Sequence, residues 1–388
     1  MKILHVFDHF SPHGGGTVAF IYKFTRTLAQ RGHEVTLYTS DFKLDRDYIA
    51  SLPEVKISPF HCISSLGLFY VTPSLVRAVR ENLKDFDVVH LHCVRSFQNI
   101  VIRHYARKYG VPYVLDQHGS LPRAHGKKSF KWLLRWLFDV AFGYRILRDA
   151  SRVIGETELG VSEFKGYGIN KDKIVLITPP FPIEDFAQLP TPGLFRDKFN
   201  LKDKKIVMFL GRIHWIKGID FLLNGFHELA KSRDDAVLVI VGNDDGYKST
   251  LENQINRLNL SDKVLFTGFL GGAEKLSALV DADVVIQTSR YEQGAWAPLE
   301  AVLCDTPIIV SSNSGAGEDV KKIDAGYLVE YENITELRNM IQYIFNNSAE
   351  AKKKTKRAKE FIKTNLSMAK GVEKYEELYE AVIKRGTK

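Results

Sequence analysis

Short β-rich apolar runs alternate with helical segments along this chain, and the alternation occurs in two series. The first begins with "ILHVF" (3–7), followed by a glycine loop, a helical segment at 17–32 and the strand-like "EVTLYT" (34–39). The second begins with "KKIVMFLGR" (204–212) and again continues with helices and apolar strands. Strands that alternate with helices form βαβ units, which build parallel sheets. The sequence therefore predicts an α/β protein with two Rossmann-like domains.

A proline-rich segment separates the two series. Residues 178–193 contain five prolines, a composition typical of a stiff connection between domains. We expect an N-terminal domain over residues 1–182 and a C-terminal domain over residues 183–370. The remaining helix, 371–388, carries an apolar stripe that predicts docking on one of the domains; the stripe consists of Val372, Tyr375, Leu378, Tyr379 and Val382.

Composition limits the class of protein. Three widely spaced cysteines show no disulfide or zinc pattern, and the N-terminus lacks a signal-peptide core, so we expect a cytoplasmic protein. No uncharged run approaches the roughly 20 residues of a membrane-spanning helix. Residues 1–182 carry 25 Lys and Arg against 16 Asp and Glu, whereas the rest of the chain carries 29 against 30. This asymmetry indicates an anionic partner, either nucleic acid or a phospholipid surface.

Two loops between a strand and a helix contain residues suited to phosphate. In the first, Gly14, Gly15 and Gly16 open a helix, which lets a phosphate approach the backbone or simply makes a tight turn. In the second, Arg212 and Lys217 stand between a strand ending at Leu210 and a helix starting near residue 218. Such cations suit a diphosphate; the alternative is two solvated charges. Neither loop matches the dinucleotide fingerprint or the NTPase P-loop.

The stretch "RYEQGAWAPLE" (290–300) places two acids between a strand and a helix. Pro298 suits the first helical position, which would put Glu300 in the first turn. Glu300 either interacts with the helix dipole or accepts hydrogen bonds from a ribose diol. Glu292 can accept hydrogen bonds from the hydroxyls of a sugar in the same way.

These motifs together support a family assignment. Glu292 and Glu300 with seven residues between them, the upstream cations and the glycine loop resemble the retaining nucleotide-sugar glycosyltransferases of family 4 (glycosyl transferases group 1). "QHGS" (117–120), "LFTGFL" (265–270) and "SGAGEDV" (314–320) resemble further loops of that family. The resemblance implies the GT-B fold, with two Rossmann-like domains facing a central cleft. It also implies a C-terminal helix that crosses back to the N-terminal domain.

The resemblance assigns roles to individual residues. Arg212 and Lys217 would hold the diphosphate, Glu300 the ribose and Glu292 the donor sugar. On the donor side it further implies contacts by Gly15, Gly16, Gly268, Phe269, Leu270, Gly294, Ala295 and Trp296. His118 would lie near the transferred sugar and the acceptor, although a structural loop histidine is the alternative. The residues assigned to catalysis are Glu292, His118, Arg212 and Lys217.

No metal or other cofactor is expected beyond the nucleotide-diphosphate sugar, a UDP or GDP sugar, that serves as donor substrate. No stretch is identified as a metal-binding Asp-x-Asp motif, the candidate considered being "NDDG" (243–246), so we expect fixed cations to replace Mg²⁺. The family usually has Phe-Gly where Gly294 and Ala295 stand here, which leaves the identity of the sugar open.

Residues 123–152 form a basic aromatic segment with eight Lys and Arg against two Asp. This composition fits a helix on an anionic membrane surface, and the acceptor would then be a glycan or a lipid-linked molecule at the inner face. The alternative is a helix packed on the N-terminal sheet. In both cases we expect Leu133, Leu137 and Val140 to be largely buried. No motif for nucleic-acid recognition accompanies the charge.

The leading hypothesis is a retaining, hexosyltransferase-type enzyme of cell-surface polysaccharide or glycolipid biosynthesis. The first alternative is a sugar-nucleotide epimerase or a phosphorylase with the GT-B fold. The second is a non-enzymatic protein that binds anionic lipid or RNA through its basic N-terminal half.

Overall fold

The computed structural model describes residues 1–12, 14–66, 69–122, 130–294 and 296–386. The chain divides into two compact units. The first comprises Met1–Phe181 together with Leu366–Lys388, and the second comprises Pro182–Asn365.

The first unit is built on a seven-stranded sheet in the order β3-β2-β1-β6-β7-β8-β9, in which all neighbours are parallel. A separate antiparallel pair joins β4 to β5. The strands are β1 (Lys2–His9), β2 (Glu34–Ser40), β3 (Lys56–Phe60), β4 (Ser64–Leu66), β5 (Phe69–Val71), β6 (Val88–His92), β7 (Tyr113–Asp116), β8 (Arg152–Gly155) and β9 (Ile174–Leu176). The helices are α1 (Gly16–Gln30), α2 (Arg46–Ala50), α3 (Ser74–Asn82), α4 (Phe97–Tyr109), α5 (Phe130–Phe138), α6 (Tyr144–Asp149) and α7 (Glu158–Gly166).

The second unit repeats this plan with six parallel strands in the order β12-β11-β10-β13-β14-β15. Its strands are β10 (Lys205–Leu210), β11 (Ala236–Val241), β12 (Val264–Gly268), β13 (Val284–Gln287), β14 (Ile308–Ser311) and β15 (Tyr327–Val329). Its helices are α8 (Leu194–Lys198), α9 (Ile219–Ala230), α10 (Lys248–Arg257), α11 (Gly272–Asp281), α12 (Trp296–Leu303), α13 (Gly315–Lys322), α14 (Ile334–Asn346) and α15 (Ser348–Asn365).

The second sheet forms because its central strands are apolar without alternation. All six residues of β11, "AVLVIV", are buried, as expected for a parallel strand covered on both faces. Helix boundaries follow local chemistry. The Ser96 side chain accepts a hydrogen bond from the Asn99 N–H at the start of α4, and Gly110 ends that helix in the left-handed conformation with φ 70°. The prediction of two Rossmann-like α/β sheets is confirmed.

The last helix, α16 (Met368–Gly386), packs against α1 in the first unit. The ring of Tyr375 lies 4.6 Å from that of Phe24, and Arg31 and His33 both donate to the carboxylate of Glu376 at 2.8 Å. The whole predicted stripe is buried: Val372, Tyr375, Leu378, Tyr379 and Val382. The expected return of the terminal helix to the N-terminal domain is therefore confirmed.

The basic aromatic segment does not pack as predicted. Leu133, Leu137 and Val140 are 41%, 49% and 50% exposed, so the expectation that they are buried is wrong. Other residues make the contact with the unit. The ring of Phe138 lies 5.8 Å from that of Phe69, and a π-helical turn (Asp139–Gly143) joins α5 to α6 and buries Asp139 against Arg95. Residues 123–129 of this segment lie outside the described residues. Among the described helices, none has both the length and the apolar character to cross a bilayer.

Candidate active site

The second sheet has its topological switch point between β10 and β13, because β10 pairs with β11 on one side and with β13 on the other. Ligands of open α/β sheets bind beyond the carboxyl ends of the strands at such a point. The loop after β10 carries Arg212 and Lys217, and the loop after β13 carries Glu292. The order of the strands therefore brings these three predicted residues to one edge of the sheet.

Gly218 lets the two loops touch. It is left-handed, with φ 63°, and a Cβ at this position would lie 1.9 Å from the carbonyl oxygen of Thr288. The Thr288 hydroxyl in turn donates to the carbonyl oxygen of Gly218 at 2.9 Å. Only glycine allows this approach, which holds Lys217, the preceding residue, beside the loop that carries Glu292.

Lys217 and Glu292 form an ion pair, in which Nζ donates to Oε2. Gln287 donates to the same oxygen at 2.7 Å, and the Ser289 hydroxyl does so at 3.3 Å. The lysine and glutamate side chains are 16% and 20% exposed. One carboxylate with three donors is thus fixed in place, at the edge of the sheet where a diphosphate and a sugar were predicted to bind.

Hydrogen bonds and a cation–π contact of Arg290 join the same two loops. Its guanidinium donates to both oxygens of Asp220, at 2.9 and 2.5 Å, and lies 4.8 Å from the ring centroid of Trp215. Its backbone N–H donates to the carbonyl of Ile216 at 2.8 Å. Sequence reasoning missed Arg290 and Asp220 as positioning residues, although Arg290 opens the quoted stretch, because its partner lies 70 residues away.

Arg212 is more open to solvent than Lys217. It donates to Asp245 at 2.5 Å, and its side chain is 59% exposed. The neighbouring Asp244 accepts backbone N–H bonds at 3.0 Å from each of the residues Gly246, Tyr247 and Lys248. Both carboxylates of "NDDG" are thus engaged by protein groups.

Glu300 lies further into its helix than expected. Helix α12 begins at Trp296 and has no acidic residue in its first turn, so the placement of Pro298 at the helix start and of Glu300 in the first turn is wrong. The helix starts earlier than Pro298 because proline is tolerated anywhere in a first turn, where no N–H donor is needed. Glu300 accepts a hydrogen bond from Lys275 at 2.9 Å, a cation that sequence reasoning missed.

The other residues predicted to bind the donor in the second unit lie in two stretches, 268–270 and 294–296. Gly268 ends β12 with φ 74°, Phe269 is exposed and Leu270 is buried. Gly294 faces Asp319, whose Oδ2 lies 3.6 Å from the position of a Cβ on this glycine. Trp296 opens α12, and Ala295 lies outside the described residues. The "SGAGEDV" segment approaches the acid loop directly, since the Gly315 N–H donates to the carbonyl of Glu292 at 2.8 Å.

In the first unit, the predicted glycine loop opens α1. Gly15 caps the helix with φ 79°, Gly16 is the first helical residue, and a Cβ on either would meet nothing within 4 Å. Within the described residues, this helix start carries no side-chain cap and no acid in the first turn. Its N–H groups and its positive dipole end are thus available to an anion.

His118 lies beside α1, its ring 5.5 Å from that of Phe20. Its backbone is left-handed, with φ 43°, and its side chain is only 4% exposed. The ring Nδ1 is 2.7 Å from Glu156 Oε1, and Nε2 is 2.8 Å from His92 Nδ1. The protein itself occupies both ring nitrogens, which the predicted contact with a sugar did not foresee.

Two donor clusters among the described residues have metal-like composition: His5, His90 and His92, and Asp116, His118 and Glu156. Ligand atoms sharing a tetrahedral Zn²⁺ at about 2.0–2.1 Å lie roughly 3.3 Å apart. The shortest separations here are 2.9 Å between His5 and His92 and 2.7 Å between His118 and Glu156. These are hydrogen-bond distances, so both clusters are read as hydrogen-bonded networks.

Comparison with known families agrees with this geometry. The family described as Glycosyltransferase Family 4 matches residues 14–185, and the family described as Glycosyl transferases group 1 matches residues 193–361. The two matches leave out only the chain ends and a short stretch at the boundary between the units.

Individual relatives are distant but extend over most of the chain. The mannosylfructose-phosphate synthase of Agrobacterium fabrum is 24% identical over 333 residues, 78% of this chain and 72% of its own. The alpha-monoglucosyldiacylglycerol synthase of Streptococcus pneumoniae is 25% identical over 325 residues, 81% and 71% of the two chains.

Among solved structures, that of Anabaena HepE in complex with UDP and glucose is similar, with a TM-score of 0.80 and 21% identity. The match covers 98% of this chain and 100% of that one. Likeness at this identity shows a shared fold. Because the two family matches together cover most of the chain, it belongs to the glycosyltransferases of family 4 (glycosyl transferases group 1), and it has the GT-B fold.

Proposed function

We propose that this transferase moves a sugar, with retention of anomeric configuration, from a UDP or GDP sugar to a glycan or lipid-linked acceptor of the cell surface. The observation that supports binding of the donor is the Lys217–Glu292 pair at the carboxyl ends of β10 and β13. Arg212 lies in the same loop as Lys217. The similar HepE was solved with UDP and glucose, and the family resemblance implies retention.

The charges of this edge fit the demands of glycosyl transfer. Breaking the bond between the anomeric carbon and phosphate builds negative charge on the leaving diphosphate, which fixed cations stabilise. Lys217 and Arg212 each hold a carboxylate in this structure, at Glu292 and Asp245. We propose that the diphosphate replaces these carboxylates as their partner and needs no metal ion. Glu292, still held by Gln287, then accepts hydrogen bonds from the sugar.

The donor site is tested by calorimetry with UDP and GDP and by transfer from the matching nucleotide sugars. Lys217→Met keeps the aliphatic stem and removes the charge, and we expect loss of diphosphate binding by about 10- to 100-fold. Lys205→Met is the matched control. Lys205 pairs with Asp283 at 3.0 Å but starts β10 at the amino edge of the sheet, so binding should be unchanged. Equal binding by the two variants would overturn the phosphate assignment, and conversion to an epimer without release of nucleoside diphosphate would overturn transfer.

We further propose that the first unit binds an anionic membrane surface through α5 and the turns that follow it. The exposed apolar side chains of this stretch are Phe130, Leu133, Leu134, Trp136, Leu137, Val140, Phe142 and Tyr144. Exposed Lys131, Arg145 and Arg148 accompany them. A run of exposed apolar residues with cations between them fits the interface of an anionic bilayer and would give access to a lipid-linked acceptor.

Sedimentation with vesicles tests this surface. We expect binding to vesicles containing phosphatidylglycerol, weak binding to pure phosphatidylcholine, and at least about tenfold loss for Leu134→Ser combined with Leu137→Ser. Phe361→Ser, at an exposed position of α15, is the control and should bind normally. Binding that is unaffected by the double substitution would contradict the proposal.

A further inference from the structure

The imidazole of His118 sits between two kinds of acceptor in the first unit. On one side, Nδ1 is 2.7 Å from Glu156 Oε1 and 3.6 Å from Asp116 Oδ1. On the other side, Nε2 is 2.8 Å from His92 Nδ1. The ring therefore has a negative neighbour at one nitrogen and a neutral, basic nitrogen at the other.

The contact with His92 continues as a chain into the sheet. His92 Nε2 is 2.9 Å from His5 Nδ1, and within the described residues His5 Nε2 has no hydrogen-bond partner. Each neutral imidazole has one donor and one acceptor nitrogen, so the donors along the chain all point the same way. If His118 carries two N–H groups, His92 must accept at Nδ1 and donate from Nε2 to His5. Both neutral rings then turn their lone pairs toward the charge on His118.

We propose that His118 is held as an imidazolium at neutral pH, with Glu156 as the positioning residue that fixes its proton on Nδ1 and His92 as the neutral acceptor at Nε2. A charge-assisted bond to a carboxylate is about twice as strong as a neutral one. The doubly protonated ring satisfies both contacts at once and locks the left-handed loop that carries it.

The other groups around the ring are compatible with this charge. Burial lowers the pKa of His118, but Asp116 and Glu156 outweigh that effect and leave the pKa raised. Burial lowers the pKa of His92 well below its usual value, and burial raises those of the Cys93 thiol and the Tyr375 hydroxyl. These three groups therefore stay neutral.

Two further groups complete the surroundings. Burial raises the pKa of Asp116 to about 7, and the Tyr375 hydroxyl donates to this carboxylate at 3.4 Å. His90 stacks on His92 at 4.2 Å but bonds to the Tyr379 hydroxyl at 2.7 Å instead of joining the chain. Burial lowers the pKa of His90 well below its usual value, so the charge of the cluster is confined to His118 and the two carboxylates.

The charge state of His118 does not depend on the proposed function. Its consequence for catalysis does rest on that function and deepens it. The imidazolium and the uncapped start of α1 are neighbours through Phe20. Asp116 and Glu156 offset the positive charge on the ring, so its protonation acts on the reaction through the hydrogen bonds that fix the His118 loop beside α1. Loss of the proton at alkaline pH reverses the hydrogen bonds of the chain and removes that charge.

Nitrogen NMR of the full chain labelled with ¹⁵N-histidine tests the charge state without any substrate. At pH 7 both ring nitrogens of His118 should be protonated, with its signals identified by their loss in His118→Asn. Glu156→Gln keeps a hydrogen-bonding group but removes the charge, and His118 should then be neutral at pH 7. Tyr379→Phe removes a hydroxyl outside the chain and should change nothing. An unprotonated His118 nitrogen in the unsubstituted protein at pH 7 would overturn the proposal.

The pH profile of transfer tests the consequence for the reaction. Relative to the unsubstituted enzyme, Glu156→Gln should lose about tenfold in turnover at pH 8 and little at pH 6, with unchanged UDP affinity. Matching pH profiles for the two proteins would refute the positioning role even if NMR shows the charge. Absence of UDP binding in the unsubstituted protein would instead refute the donor proposal and leave the NMR result standing.

Discussion

Replacing Gly218 by alanine should separate the two loops of the proposed donor site. The left-handed φ of 63° costs an alanine about 1 kcal/mol. The new Cβ would lie 1.9 Å from the Thr288 carbonyl oxygen, so the backbone must move by more than about 1 Å, an overpacking cost of about 1–3 kcal/mol. We expect the free energy of unfolding, measured by urea denaturation, to fall by about 2–4 kcal/mol. The same shift parts Lys217 from Glu292 and should weaken UDP binding about tenfold or more.

Gly193→Ala provides the matched control. Gly193 is also in the second unit and has φ 103°, but a Cβ there would meet nothing within 4 Å. It should lose only the conformational cost of about 1 kcal/mol and keep its UDP affinity. If the two variants lose the same stability and bind UDP equally, the close contact between the loops does not position the site, and the reasoning is refuted.

Three further outcomes follow from the ion pairs and the buried histidines. Glu300→Gln should weaken UDP binding by about 10- to 100-fold in calorimetry, whereas Glu274→Gln, in an exposed lysine pair of the same unit, should not. Arg290→Lys loses the bidentate hydrogen bond to Asp220 and should reduce transfer. Arg233→Lys alters a similar pair beside the amino end of β11 and should not. Burial lowers the pKa of His5 to about 3, so the contribution of neutral His5 to the stability of the first unit is fully present above pH 6.5. It should fall by about 1.4 kcal/mol per pH unit below that for this residue alone. Between pH 7 and 5, the free energy of unfolding in urea should fall less steeply with pH for His5→Asn than for the unsubstituted protein. An identical pH dependence would count against a buried neutral His5.

Local patterns accounted for most of the architecture. Short unbroken apolar runs such as β11 predict strands covered on both faces, and helices between them favour parallel pairing. The direction of a strand then fixes which of its ends carries a site. Strand direction alone therefore predicts that Arg212, Lys217 and Glu292 lie at one edge of the sheet. The apolar stripe of α16 was equally local, because a helical period needs only neighbouring residues.

The sequence by itself determined two parallel α/β sheets, the edge that carries the proposed site and the residue types predicted to line it, because periodicity and strand direction are encoded locally. Only the tertiary structure decided the partners: Glu292 with Lys217, Glu300 with Lys275, and His118 between Glu156 and His92. These pairs join residues 25 to 75 positions apart, and strand order and helix packing bring them together. The same holds for α5, where Phe138 and the following π-helical turn contact the sheet domain while Leu133 and Leu137 stay exposed.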